Sequence, residues 1–176
     1  MSSPRLDRGV TSPELRLCLS LNRLGDSDRI RRFFSVVSRL GDGVVWYALM
    51  IWFAAFDWVT GDRVSLQMAA AGLFTYFLYQ RLKRHTRRPR PYQRYQTITL
   101  HLAPLDEYSF PSGHTLHAVV FSTIAIVHQP TLVWILAPFT LLVAMSRVVL
   151  GLHYPSDVAA ASVIGLSIAL LSFAPM

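Results

Sequence analysis

The sequence contains little charge and almost no cysteine. Of its 176 residues, 15% are charged and 52% are hydrophobic, whereas soluble domains of this size usually carry about 25% charged residues. This shortage of charge argues against a soluble protein and favours a membrane protein, and the length suits a single domain. The only cysteine, Cys18, excludes an internal disulfide.

Lysine and acidic residues are also scarce. Lys83 is the only lysine among 17 basic residues, and 10 acidic residues leave a formal net charge of +7. A basic chain can bind nucleic acid, but these arginines cluster beside apolar segments, where anionic lipid head groups or a phosphorylated substrate explain them better. The predicted partners are therefore membrane lipids and no nucleic acid, and the oligomeric state is left open.

The chain begins with a polar stretch and a basic amphipathic region. Residues 1–12 are polar and are expected to be flexible. In residues 27–40 the apolar side chains recur at the spacing of one helix face, at Ile30, Phe33, Phe34 and Val37. We therefore predict that residues 13–42 form a basic helical region on an anionic membrane surface. A helix packed against the rest of the protein fits the same pattern.

Residues 43–176 contain five apolar segments, at 44–59, 65–82, 115–127, 131–150 and 156–173. The first and the third are shorter than the roughly 20 residues that cross a membrane. A soluble all-α protein with fully buried helices is the alternative, but it would need a polar shell that this sequence lacks. The predicted fold is therefore all-α, an integral membrane bundle of about five transmembrane helices preceded by an amphipathic interfacial helix.

Three polar clusters lie where these segments begin or end. Residues 83–91 follow the second segment, residues 111–114 open the third, and residues 146–157 join the fourth to the fifth. In a bundle whose helices alternate in direction, all of these ends lie on one face. The segments alone therefore predict a single polar site.

The residue types in these clusters are suited to a phosphoryl group. Arg90 and Arg147 carry guanidinium forks that match phosphate oxygens, and Lys83 adds a point charge. Ser112 and Gly113 lie at a helix start, where free backbone N–H groups favour an anion. The predicted site therefore binds phosphate.

Two histidines and one carboxylate complete the site. Asp157 follows His153 by four residues, a spacing at which the carboxylate can accept a hydrogen bond from one ring nitrogen and leave the other as a nucleophile or base. His114 is then available for the proton of the leaving group. These side chains are the ones a phosphatase needs.

Several other polar residues are expected to have no role in the site. We interpret Arg84, Arg87 and Arg88 as membrane-surface charge. Asp106 and Glu107 could contact a head group, but we interpret them as parts of a solvated loop. The remaining histidines are interpreted as non-catalytic: His85, His101, His117 and His128.

Together these residues resemble the type 2 phosphatidic acid phosphatase superfamily, which includes vanadium haloperoxidases and bacterial acid phosphatases. The signature of that family is K-x6-R-P, P-S-G-H and S-R-x5-H-x3-D. Every position is matched here, by Lys83 to Pro91, Pro111 to His114 and Ser146 to Asp157. The resemblance covers about residues 80–160. A haloperoxidase is disfavoured because those enzymes are large and soluble, whereas this chain is mostly membrane helix.

The resemblance implies a role for each residue of the site. His153 would be the nucleophile that forms a phosphohistidine, Asp157 would orient it, and His114 would be the general acid. The phosphoryl oxygens would be bound by Lys83, Arg90, Ser112, Gly113 and Arg147. No metal or cofactor is expected, and the sequence contains no HExxH-type motif or carboxylate-rich cluster. Residues 43–176 would then form a membrane phosphatase domain.

The arginines also predict which side of the membrane carries the site. With five spans, the N-terminus and the site lie on the same face, which holds all the basic residues except Arg63. The positive-inside rule then predicts a bacterial-type inner membrane protein with a cytoplasmic site. A periplasmic site is the alternative if residues 13–40 contain a further span.

The sequence predicts a class of substrate but does not identify one lipid. A membrane site suits a lipid with a phosphate or diphosphate head group, and the candidates are undecaprenyl diphosphate, phosphatidylglycerol phosphate and phosphatidic acid. A lipid phosphotransferase using the same phosphohistidine is an alternative. A non-catalytic lipid-binding protein is disfavoured by the intact set of His153, His114 and Asp157.

Overall fold

The computed structural model describes residues 12–57 and 59–174, and every regular element in these ranges is helical. The helices are α1 (Pro13–Asn22), α2 (Asp28–Arg39), α3 (Val45–Phe56), α4 (Gly61–Thr86), α5 (Pro91–Arg94), α6 (Gly113–His128), α7 (Val133–Val149) and α8 (Pro155–Leu171). Short 3-10 turns precede α2 and α7, and a π-helical turn, Leu40–Val44, joins α2 to α3. The predicted all-α class is confirmed.

The first helix is fixed to the end of the bundle where α7 finishes. Ser12 caps α1 by accepting a hydrogen bond from the backbone N–H of Leu15 at 3.2 Å, and Pro13 supplies a favourable first position. At the other end of the helix, the side-chain amide of Asn22 donates to the carbonyls of Thr99 and Val149, at 2.9 and 3.0 Å. These bonds tie α1 to the loop before α6 and to α7.

Helices α2 and α3 form one bent helix that runs antiparallel to α7. Phe34 packs with Val149 and Leu150, and the ring of Trp46 lies 5.6 Å from that of Phe139. The bend falls at the Leu-Gly-Asp-Gly sequence, where Asp42 and Gly43 leave the helical conformation. Phe34 and Val37 of α2 therefore pack on the protein itself, as in the second of the two arrangements considered, whereas Phe33 is 51% exposed. The position of α2 at a membrane surface stays a prediction.

Helix α6 lies at the centre of the bundle, between α4, α7 and α8. Leu116, Val120 and Ile124 recur along it and are completely buried. It packs closely on α8 because Gly165 carries no side chain: a Cβ there would lie 2.9 Å from the carbonyl oxygen of Leu116. The start of α6, which carries the Pro-Ser-Gly-His motif, is thereby placed inside the bundle at one end.

In the described part of the chain, two helical stretches are long and apolar enough to cross a membrane, Asp28–Phe56 and Pro130–Val149. Gly113–His128 and Pro155–Leu171 are apolar but shorter. The first stretch begins well before the predicted segment 44–59, because the helix continues through its bend. The count of about five spans remains a prediction.

Candidate active site

The predicted site residues meet at one end of the bundle. Lys83 lies near the end of α4, Arg147 lies in the last turn of α7, and His153 follows in the loop before α8. Arg90 lies immediately before α5, and His114 is in the first turn of α6. These five side chains line one cavity of about 540 Å³.

The other three predicted residues are arranged differently. Gly113 also lines the cavity, whereas Ser112 and Asp157 are completely buried behind its wall. The Ser112 hydroxyl shares a hydrogen bond with the hydroxyl of Thr115, at 2.9 Å between the oxygens. The structure therefore brings all eight residues together, and a phosphate contact by the Ser112 side chain stays a prediction.

Asp106 joins two of the cations, which corrects the expectation that it belongs to a solvated loop. Its two carboxylate oxygens lie 2.6 Å from Lys83 Nζ and 2.7 Å from Arg90 Nη2. Burial alone would raise the pKa of Asp106, but the hydrogen bond and charge of Lys83, together with Arg90, hold it below its ordinary value. Asp106 is therefore an ionised member of the site.

Arg147 is buried with part of its guanidinium unpaired. Only 3% of the residue is exposed, and its Nη1 donates to the hydroxyl of Ser38 in α2. Its Nε has no hydrogen-bond partner among the described residues. A buried cation without full pairing is energetically costly, so this guanidinium is well suited to bind an anion in the cavity.

The imidazole of His153 lies between a carboxylate and the cations. Its Nδ1 is 3.6 Å from Asp157 Oδ2, and its Nε2 is 3.4 Å from Arg90 Nη1. Burial is the main reason that the pKa of His153 is lowered to about 3, and Arg147 and Arg90 add to this against the attraction of Asp157. The ring is therefore neutral near pH 7, and when the proton is on Nδ1 the lone pair of Nε2 faces the Arg90 guanidinium.

Arg88 contacts the buried carboxylate, so its interpretation as surface charge is wrong. It donates to Asp157 Oδ1 at 2.6 Å and to the hydroxyl of Ser156 at 2.7 Å. It also lies 3.3 Å from a carboxylate oxygen of Glu14 in α1 and over the ring of Tyr154. Asp157 additionally accepts the Tyr154 backbone N–H at 2.9 Å. Arg88 thus links α1 to the carboxylate behind His153.

Asp42 is a second carboxylate that the sequence analysis did not identify. It lies in the bend between α2 and α3, and its Oδ1 is 3.3 Å from His114 Nε2. The two residues are 72 positions apart in the chain, so no local spacing connects them. The only sequence signal is an acidic residue between two glycines directly before an apolar segment.

The other histidines and arginines are placed as follows. Arg84, Arg87 and His85 are exposed at the end of α4. His128 bonds Gln67 at 2.9 Å, away from the cavity. His117 does line the cavity, but it lies against the carbonyl oxygens of Gly72 and Gly113. No group of three or more side chains that could hold a metal occurs within residues 12–57 and 59–174.

The cavity continues from the charged residues into an apolar groove. On α4 the lining side chains recur every three or four residues from Ala69 to Lys83, which corresponds to about 21 Å of helix. Tyr47 and Met50 of α3 form the facing wall. Tyr47 and Leu73 are 66% and 59% exposed, so this part of the cavity is open between the two helices. The shape suits a molecule with an anionic head and an apolar chain.

Comparison with known proteins identifies related sequences. A family model described as the PAP2 superfamily matches residues 63–175. The undecaprenyl-diphosphatase BcrC of Bacillus subtilis is 37% identical over 85 residues, which are 48% of this chain and 44% of that protein. An undecaprenyl-diphosphatase of Sulfolobus acidocaldarius is 39% identical over 77 residues, 43% of this chain and 37% of that protein. The chain thus spans less than half the length of these curated relatives.

Two solved structures share the fold. LpxE of Aquifex aeolicus superposes with a TM-score of 0.80 and 26% identity, over 92% of this chain and 95% of that one. A transmembrane PAP2 type phosphatidylglycerolphosphate phosphatase of Bacillus subtilis gives a TM-score of 0.70 and 22% identity, over 92% and 85%. The apolar helices and this shared transmembrane fold indicate a membrane location.

Proposed function

Because the chain belongs to the PAP2 superfamily, we propose that it is a membrane lipid phosphatase that acts through a phosphohistidine at His153. The observation that carries the proposal is the position of His153. Its neutral ring has Nδ1 towards Asp157 and Nε2 towards the cations of the cavity. The cavity continues into an apolar groove, which supports a lipid as the substrate.

In the first step, the lone pair of His153 Nε2 forms a bond to phosphorus. The bond between phosphorus and the leaving oxygen breaks, its electron pair stays on that oxygen, and the oxygen takes the proton of His114. The positive charge on the phosphorylated ring is stabilised by Asp157. Lys83, Arg90 and Arg147, with the backbone at Ser112 and Gly113, bind the phosphoryl oxygens and stabilise the charge of the transition state.

In the second step, water replaces the protein on phosphorus. The water oxygen forms a bond to phosphorus as the bond to His153 Nε2 breaks, and its electron pair returns to the ring. His114, now neutral, accepts the proton of the water. Inorganic phosphate leaves, and both histidines regain their original protonation states. The cycle requires no metal or cofactor.

We propose a class of lipid substrate and not a single lipid. The three candidates are undecaprenyl diphosphate, phosphatidylglycerol phosphate and phosphatidic acid, and all combine an anionic head with apolar chains. The groove beside α4 accommodates such a chain. The name of the curated relatives favours a diphosphate, whereas the position of Asp42 beside His114 favours a monophosphate.

The proposal also includes the arrangement in the membrane. Five helical stretches would cross it: α3 with the bent end of α2, α4, α6, α7 and α8. Glu14 of α1 contacts Arg88 and Ser156. These contacts support a position of α1 on the same membrane face as the site. The excess of arginine on that face supports a cytoplasmic site.

Phosphate release by the purified protein tests the function. The detergent-solubilised chain is assayed with each of the three lipids in the presence of EDTA, beside His153→Ala and the matched control His85→Ala, an exposed histidine of α4. We expect release that survives EDTA, falls by about a thousandfold or more in His153→Ala and is unchanged in His85→Ala. Activity retained in His153→Ala would refute the phosphohistidine. A newly phosphorylated lipid without free phosphate would establish phosphotransfer instead.

A further inference from the structure

The cavity contains a carboxylate that no lysine or arginine pairs with in the described part of the chain. Asp42 and Asp106 are its two acidic lining residues. Asp106 is bound to Lys83 and Arg90. Asp42 has His114 as its ionisable partner, at 3.3 Å. The charge of Asp42 is therefore directed at the histidine that would protonate the leaving group.

The bend between α2 and α3 fixes Asp42 in this position. Gly41 is buried against Val143, where a Cβ would lie 2.8 Å from the valine side chain. The Trp46 indole N–H donates to the Gly41 carbonyl at 2.9 Å. Gly43 adopts φ +122°, which is unfavourable for other residues. The backbone on both sides of Asp42 is thus shaped by specific contacts, and its side chain is held at the cavity wall.

Resting on the proposed function, we infer that Asp42 is a positioning residue for His114, and that it makes the site selective for phosphate monoesters of neutral lipid alcohols over lipid diphosphates. Lys83, Arg147, His117 and His153 also face His114 around the cavity. Of the two acidic residues in the cavity, Asp42 is the one in contact with His114, whereas Asp106 is bound to Lys83 and Arg90. Asp42 therefore stabilises the imidazolium of His114 relative to a site with an amide at this position.

The chemistry of the leaving group explains the selectivity. When the substrate is a monoester, the departing oxygen becomes an alkoxide unless it is protonated, so the reaction depends on the proton of His114. When the substrate is a diphosphate, the departing group is a lipid phosphate, whose last ionisation lies at a pKa of about 6 and which leaves without help. Asp42 thus assists the reaction that needs a general acid.

Electrostatics favours the same substrate. The alcohol that leaves from a monoester is uncharged, and a neighbouring hydroxyl or ester dipole can approach Asp42 without penalty. The lipid phosphate that leaves from a diphosphate is an anion, and it would depart next to the carboxylate. The Asp42 side chain is 48% exposed, so water weakens this repulsion between like charges, but at contact distance it still opposes the departure of an anion. Asp42 therefore slows the release of an anionic leaving group.

Two lipids that have the same acyl chains but different leaving groups test this selectivity. Phosphatidic acid releases diacylglycerol, and diacylglycerol diphosphate releases phosphatidic acid, so the acyl chains are the same while the leaving groups differ in charge and basicity. Rates of phosphate release are measured for both in mixed micelles, with the wild-type chain, Asp42→Asn, Asp42→Glu and the control Asp62→Asn. Asp62 is exposed in the first turn of α4, remote from the cavity.

We expect the wild-type chain to prefer phosphatidic acid. In Asp42→Asn, kcat for phosphatidic acid falls on the order of tenfold or more, while kcat for the diphosphate is unchanged or rises. Asp42→Glu recovers part of the selectivity because it keeps the carboxylate. The alkaline limb of the pH profile for phosphatidic acid moves to lower pH in Asp42→Asn, a change that a purely structural defect would not produce.

The outcomes distinguish this inference from the function on which it rests. If the wild-type chain releases phosphate from both lipids but prefers the diphosphate, the selectivity assigned to Asp42 is wrong. Equal losses on both lipids in Asp42→Asn, with no change in the pH profile, would also overturn the inference and leave the phosphatase intact. If the wild-type chain releases phosphate from neither lipid, the proposed function is wrong, and the inference that rests on it is wrong as well.

Discussion

Single residues outside the signature motifs balance the charge of the site. Asp106 is one of them, because it binds Lys83 and Arg90, which are 3% and 1% exposed. Without this carboxylate, two nearly buried cations would repel each other and would attract any available anion more strongly. We therefore expect Asp106 to lower the affinity of the proposed site for free phosphate and to stabilise the folded chain.

The substitution Asp106→Asn tests this balance. We expect it to reduce the free energy of unfolding by about 1.5–3 kcal/mol, the value of a charge-assisted hydrogen bond, and to lower the concentration of inorganic phosphate that gives half-maximal inhibition by about tenfold. Thermal unfolding in detergent and inhibition assays measure the two effects. Glu107→Gln, the exposed neighbour, is the control, and unchanged inhibition in Asp106→Asn would contradict the prediction.

The sequence predicts the motif residues of the site better than their partners. Lys83, Arg147 and His153 lie at or just beyond helix ends, and alternating helices bring such ends together whatever the details of packing. The partners depend on finer geometry. Asp42 reaches the cavity through a bend, and Asp106 reaches it through an irregular loop. Neither a bend angle nor a loop path follows from hydrophobic periodicity.

The helices themselves show a second limit of sequence analysis. Two glycines flanking Asp42 are strong signals for the end of a helix, and the predicted first span began after them. In the structure the chain bends there and continues, because α7 offers one continuous surface to both halves. Val143 of α7 contacts Gly41, and Phe139 contacts Trp46. Tertiary packing therefore overrides the local stop signal.

Contact between α6 and α8 depends on Gly165. We expect Gly165→Ala to destabilise the chain by about 1–3 kcal/mol, since its Cβ would lie 2.9 Å from the Leu116 carbonyl oxygen. Phosphate release should also fall, because His114 lies within one turn of Leu116. Thermal unfolding and activity assays check both effects. Ser167→Ala, on the exposed side of α8, should change neither, and an equally stable Gly165→Ala would show that the helices can separate without cost.

The whole molecule is asymmetric in charge, and this predicts its orientation. Cysteines introduced at positions 5 and 95, in a chain whose Cys18 is replaced by alanine, should be labelled from the same side of the membrane. We expect impermeant maleimide to reach both positions only after the cells are opened, since we propose that the arginine-rich face is cytoplasmic. A cysteine at position 63, in the first turn of α4, should react in intact cells. Opposite labelling of positions 5 and 95 would contradict the proposed topology.

The open groove between α3 and α4 would determine how the proposed lipid substrate reaches the site. A lipid that enters through the side of a helix bundle arrives by lateral diffusion, and it never has to pass through water. The encounter rate then depends on the mole fraction of the lipid in the bilayer and not on its amount per volume of solution. Turnover would therefore respond to local enrichment of the lipid in one region of the membrane, even when the total content of the cell is constant.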